Sequence, residues 1–221
     1  MYDAGRYEDV IPYCRKMLQD NPHNMVALQN MTTAFIHLGE FEEALIHCDK
    51  VIKIDSSNAY ALRNKIFALE NLRRYDEVLE LAAKILAANP KDTWTLNSAG
   101  LALNELNRNK EAVSYYDRVL EIEPRNVTAL LNKANTLAFF KQYEDAISLY
   151  DMAQKADPGL KYVGEAKSDL LLRLGREDEA FLAAQGVLLD AMPGIISQAA
   201  ENNCTVFHQF CLNEYENSSK E

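Results

Sequence analysis

One period governs this chain. Pro22, Pro90, Pro124 and Pro158 are separated by multiples of 34 residues, and sliding the sequence by 34 aligns further columns without a single insertion. Gly5, Gly39, Arg73, Asn107, Lys141 and Gly175 form one column, and Val10, Ala44, Val78, Ala112, Ala146 and Ala180 another. Met17, Val51, Ile85, Val119, Ala153 and Val187 form a third. The proline column continues through Ser56 and ends at Met192, with Pro193 one place late. A fixed period of this length means one supersecondary unit per copy, each burying its apolar face against its neighbours.

Inside a copy the apolar spacing is helical. Leu62, Ile66, Leu69 and Leu72 recur at three or four residues, and so do Val78, Leu81, Ala82 and Ile85. Between the two stripes lies a turn, Gly39-Glu40-Phe41 in one copy and Arg73-Arg74-Tyr75 in the next. Its first residue is predicted to be left-handed, a conformation easy for Gly and Asn and costly for Arg or Lys. Acidic pairs, Glu8-Asp9, Glu42-Glu43, Asp76-Glu77, Glu144-Asp145 and Asp178-Glu179, open five of the six second helices, at the positive end of the dipole. Asn24, Asn58, Asp92 and Asn126 precede four of the first helices as N-caps, and the prolines stand where second helices must stop.

These columns resemble the tetratricopeptide repeat family over roughly residues 5–192. Small first-helix residues match at Gly100, Ala134 and Ser168, and turn aromatics at Tyr7, Phe41, Tyr75 and Tyr143. The family's first-helix tryptophan is replaced by Leu28, Leu62, Leu96, Leu130 and Gly164. Asn64-Lys65 and Asn132-Lys133 are similar to the stand-alone arrays common in prokaryotes. The resemblance implies an all-α fold, a right-handed α-solenoid of helix–turn–helix hairpins with a 34-residue period.

The array is expected over residues 1–193. It begins with a half repeat, 1–24, and continues as full repeats 25–58, 59–92, 93–126 and 127–160 and a degenerate repeat, 161–193. One capping helix is expected over 194–212 and a disordered polar tail over 213–221. The chain enters in mid-repeat, so the helix from Tyr7 to Asp20 lacks a hairpin partner. Val10, Cys14, Met17 and Leu18 would then be covered by another molecule or by further residues.

Composition narrows the function classes. A net charge of −10 disfavours a nucleic-acid binder, which depends on Lys and Arg to neutralise phosphates. No uninterrupted apolar run approaches 18 residues, so membrane insertion is not expected. The first ten residues carry no apolar leader, and four cysteines at no scaffold-like spacing fit a reduced cytoplasmic compartment. Phosphate loops and metalloprotease motifs are missing, and each acidic pair already has a capping role, so no enzyme and no cofactor is expected. Cys204, His208 and Cys211 fall at i, i+4 and i+7. One helix would place them on one face as candidate zinc ligands with Glu201 or Glu214. The ordinary reading is packing thiols and a cap histidine.

What remains is the concave face, which in the resembled family is lined by one stripe of each first helix. Carried onto this sequence, that stripe holds Asn30, Asn64, Asn97, Asn132 and Asn135, whose amides can donate to and accept from a peptide backbone at once. Tyr60, Arg63, Phe67 and Trp94 would select side chains, Trp94 being the only tryptophan. The basic pair with which relatives clamp a C-terminal carboxylate has no counterpart in register. The sequence therefore predicts a scaffold or adaptor that docks an extended peptide or helix of a partner protein. The alternative is a structural segment of a longer protein that self-associates through its open N-terminal edge.

Overall fold

The computed structural model of the chain describes residues 7–218, and for 216–218 the backbone alone. These residues form thirteen α-helices and no strand. In chain order they are α1 (Tyr7–Asp20), α2 (Met25–Leu38), α3 (Phe41–Ile54), α4 (Ala59–Asn71) and α5 (Tyr75–Ala88). There follow α6 (Thr93–Glu105), α7 (Asn109–Ile122), α8 (Val127–Phe139), α9 (Tyr143–Ala156) and α10 (Lys161–Arg173). The last three are α11 (Glu177–Ala184), α12 (Met192–Glu201) and α13 (Val206–Ser218). The helices group into two compact units, one ending at Ala112 and the other starting at Val113.

The turn chemistry follows the column. Gly39, Arg73, Asn107, Lys141 and Gly175 all have positive φ, between 57° and 76°. The next residue in each copy sends its N–H back to the first helix, as in Glu40 to Phe35 at 2.8 Å and Arg108 to Leu103 at 2.8 Å. This Schellman bond satisfies carbonyls that the helix end would otherwise leave open. At the opposite end, Asn24, Asn58, Asp92 and Asn126 each accept the N–H three residues on, at 3.0 to 3.1 Å. Gly5, the first residue of the turn column, lies outside the described residues.

In the first unit α1 lies on α2, and α2 on α3, so that Val10 and Cys14 are buried among Ala27, Met31 and Phe35. Two of the four residues expected to need an outside partner are thus covered within the chain. Met17 and Leu18 are partly buried against the same layer.

In the second unit a recurring ion pair ties a second helix to the following first helix. Asp117 on α7 meets Lys133 on α8 at 2.6 Å, and Asp151 on α9 meets Lys167 on α10 at 2.9 Å. Asp49 and Lys65 repeat the arrangement in the first unit at 2.5 Å.

The end of the chain departs from expectation in three places. First, α11 stops at Ala184, where Gly186 turns left-handed, so Val187 leaves the helix its column predicts. Second, 194–212 is not one helix. Asn203 adopts positive φ, and the Thr205 hydroxyl accepts the N–H of His208, so the chain breaks and starts α13 afresh. Third, α13 runs to Ser218 through most of the expected polar tail; residues 219–221 lie outside the described residues. Its polar side chains form a relay that explains the order. Asn202 donates to Gln209, Gln209 to Asn213, and Asn213 to Gln198 on α12. Phe207 and Phe210 add edge contacts to Phe181 on α11.

Candidate functional site

The first helices α2, α4 and α6 adjoin one another in the first unit, and their shared face carries most of the predicted site. Tyr60 and Phe67 stand partly exposed on α4, at 39% and 42%. They are one helical stripe, seven residues apart. The Tyr60 hydroxyl reaches across to α2, where it meets the Thr33 hydroxyl and donates to the Gln29 carbonyl at 3.1 Å. On the other side the Arg63 guanidinium lies over the Trp94 ring, 5.5 Å from its centroid, and reaches Asp92 at 3.5 Å. Phe67 meets Phe41 edge to face. The stripe is thus a row of aromatic and cationic side chains held by polar contacts from helix to helix.

Asn64 lies half-buried on this face between Arg63 and Phe67, and Asn97 half-buried on α6. Asn30 is partly committed, because its side-chain amide donates to the Cys14 sulfur. In the second unit Asn132 is half-buried on α8, while Asn135 accepts a short hydrogen bond from the Tyr150 hydroxyl. The predicted asparagine ladder therefore divides. Asn30 is bonded to Cys14 and Asn135 to Tyr150, while Asn64, Asn97 and Asn132 are half-buried on the first helices.

One group on this face was not anticipated. Glu70 follows Phe67 on α4 and is half-buried, with Oε1 out of solvent and without a partner among the described residues. Burial raises its carboxyl above the usual glutamate value, against a lowering hydrogen bond from Ser98 on α6. Its repeat column reads Ile36, Glu70, Asn104, Ala138 and Leu172, so the only acid in an otherwise uncharged column was the available signal.

The tail residues do not assemble a metal centre. Cys204 sits in the break between α12 and α13, its thiol toward Gln209, whereas His208 and Cys211 are exposed on α13. The shared helical face expected of the three does not form, because the helix that would have carried it is interrupted at Asn203. Among the described residues no three His, Cys, Asp or Glu side chains converge.

Comparison with known proteins places the fold. A family model for the N-terminal TPR repeats region of Psidin matches residues 34–155, more than half of the chain, and a tetratricopeptide repeat model matches residues 1–66. The chain belongs to the tetratricopeptide repeat family. Among solved structures, this TPR chain is similar to MamA from Desulfovibrio magneticus RS-1, at 18% identity and a TM-score of 0.65, over 73% of this chain and 92% of that one. It is similar to a tetratricopeptide repeat protein from Parabacteroides merdae ATCC 43184, at 21% identity and 0.63, over 82% and 78%. YrrB, a TPR protein with an unusual peptide-binding site, aligns at 21% identity and 0.58, over 77% and 88%. At these identities the likeness concerns the helical hairpin stack. A search of curated protein sequences gives no match. Among the described residues no helix is long and apolar enough to cross a membrane.

Proposed function

We propose that this TPR chain is a non-enzymatic, cytoplasmic interaction module that docks an extended peptide or helix of a partner protein on its first-helix face. The observation that carries the reading is the row Tyr60, Arg63, Phe67 and Trp94. It presents partly exposed aromatic rings and a guanidinium across adjoining helices, and these residue types dominate interface energetics. The row is fixed before a partner arrives, since Tyr60 is bonded to α2 and Arg63 is stacked on α6. Such preorganisation reduces the ordering cost of binding, and micromolar affinity, about −8 kcal/mol, is the expected scale.

Asn64 and Asn97 hold the partner backbone in the first unit, and Asn132 does the same in the second. Asn30 and Asn135 contribute less, being engaged by Cys14 and Tyr150. Glu70 accepts a partner N–H at the floor of the face. YrrB's peptide-binding site supports a peptide as the occupant, and the net charge of −10 favours a partner segment that is neutral or basic.

The test is affinity capture from native extract with wild type beside the Asn64→Ala/Asn132→Ala double variant, after both show the same helicity. Proteins held by wild type and lost by the variant support the face as the binding surface, with a loss of roughly 2–3 kcal/mol in sum. Identical captured sets refute it.

A further inference from the structure

The repeat supplies an internal standard for packing, and the hairpin of α4 and α5 departs from it. Leu28, Leu96 and Leu130, which share a column with Leu62, are fully buried, yet Leu62 is only half-buried. On the second helices Val51, Val119 and Ala153 are fully buried, while Ile85 in the same column is half-buried. The helices α4 and α5 pack more loosely on each other than do α2 and α3 or α8 and α9. Between them lies a cleft of about 680 Å³, whose walls include Leu62, Leu81 and Ile85. That volume exceeds one side chain and falls among small-molecule pockets.

A second observation points the same way. Thr95 on α6 lines this cleft, is fully buried, and its hydroxyl has no hydrogen-bond partner among the described residues. Its column reads Ala27, Ala61, Thr95, Ala129 and Val163, so every other copy places an apolar residue there. A hydroxyl buried without a partner opposes folding unless something supplies the bond. At the mouth stand the exposed Arg63 and Lys84, and the half-buried Lys65 and one acid, Asp92, also line the cleft. Arg63 reaches Asp92 and Lys65 reaches Asp49, while Lys84 is exposed and makes no ion pair among the described residues.

We infer that the α4–α5 cleft is a binding site for a small amphiphilic carboxylate. Its aliphatic body lies over Leu62, Leu81 and Ile85, and its carboxylate meets Lys84 and Arg63 at the mouth. An apolar interior whose lining carries three cations to one acid, on a chain otherwise strongly acidic, selects this charge over its opposite. The site shares only Arg63 with the aromatic row, so it stands or falls separately from peptide docking.

The probe is decanoate, below its micellar concentration, titrated calorimetrically into the full chain, with decylammonium as the control of equal length and opposite charge. Saturable one-to-one binding of decanoate is expected, at least tenfold tighter than decylammonium. Leu62→Trp restores the family's large residue, fills the cleft and abolishes binding while raising the melting temperature. Lys84→Glu changes an exposed side chain, leaves the fold intact and weakens decanoate at least fivefold. Non-saturating uptake, a preference for decylammonium, or Lys84→Glu binding like wild type overturns the inference, whether or not Leu62→Trp folds.

Discussion

The Lys167 ammonium lies 2.9 Å from the Asp151 carboxylate with both side chains out of solvent. The same carboxylate oxygen accepts the backbone N–H of Leu189 at 2.9 Å, and the ammonium also donates to the Val187 carbonyl at 3.3 Å. This ion pair therefore ties down the segment that follows the shortened α11. Removing one partner of a buried pair strands the other charge, so Lys167→Met is expected to cost about 3–5 kcal/mol in chemical denaturation. The column offers its own control. Lys65 and Asp49 make the same pair at the surface, and Lys65→Met should cost at most about 1 kcal/mol. Equal losses at the two positions would show that burial is not what distinguishes them.

Gly164 stands where four copies have leucine, and the structure shows why. A Cβ there would lie 2.5 Å from the Ala183 carbonyl oxygen, because α11 ends against the backbone of α10. The clash is with backbone, which cannot rotate away. Gly164→Ala is expected to destabilise the second unit by about 1–3 kcal/mol, and Gly164→Leu, although it restores the column, by more. A Gly164→Leu chain as stable as wild type would mean that α11 moves freely.

The turn column makes a prediction of graded sign. Arg73 and Lys141 hold φ of 57° and 60°, a conformation that costs an L-residue roughly 1–2 kcal/mol. Arg73→Gly and Lys141→Gly are each expected to stabilise by about 0.5–1 kcal/mol, after glycine's extra unfolded-state entropy is deducted. Asn107→Gly gains less, since asparagine tolerates this region. The converse, Gly39→Ala, should cost about 1 kcal/mol, with no steric term because its surroundings are open. Thermal melts of the four variants, ranked against one another, test the order.

Where a residue's role depends on its neighbours in the chain, the sequence was readable. Positive φ at Arg73 and Lys141 follows from a column shared with glycine, and the caps at Asn24 and Asp92 follow from one residue type just before a helix. Roles set by distant partners were harder to see. The lysines of Asn64-Lys65 and Asn132-Lys133 were visible, but their aspartates lie 16 residues earlier, and nothing local marks the third pair as the buried one. Likewise the asparagine stripe was legible as a stripe, whereas Tyr150 claiming Asn135 depends on how α9 packs against α8. The interruption at Asn203 outweighed the apolar spacing of 195–212, because a left-handed residue followed by the Thr205 cap ends one helix and begins another.

Cys48 gives the fold a pH signature. It is fully buried on α3, and burial pushes its thiol from 9.0 up to about 11, outweighing the hydrogen bond with Thr32. The unfolded chain releases this proton near pH 9, while the folded chain keeps it until about pH 11. Stability is therefore fully present below pH 9 and falls as pH rises from 9 to 11, by about 2–3 kcal/mol at the upper end. Replacing Cys48 with alanine would remove this pH-dependent loss at the expense of some packing, so the wild-type and Cys48→Ala stability curves should converge above pH 9. The same burial governs reactivity. A thiol reagent at pH 8 should modify exposed Cys211 rapidly and Cys48 only on unfolding, with peptide mapping reading the sites. Parallel stability curves for wild type and Cys48→Ala through pH 11, or early modification of Cys48 in the native chain, would show that this part of α3 opens to solvent far more readily than its packing implies.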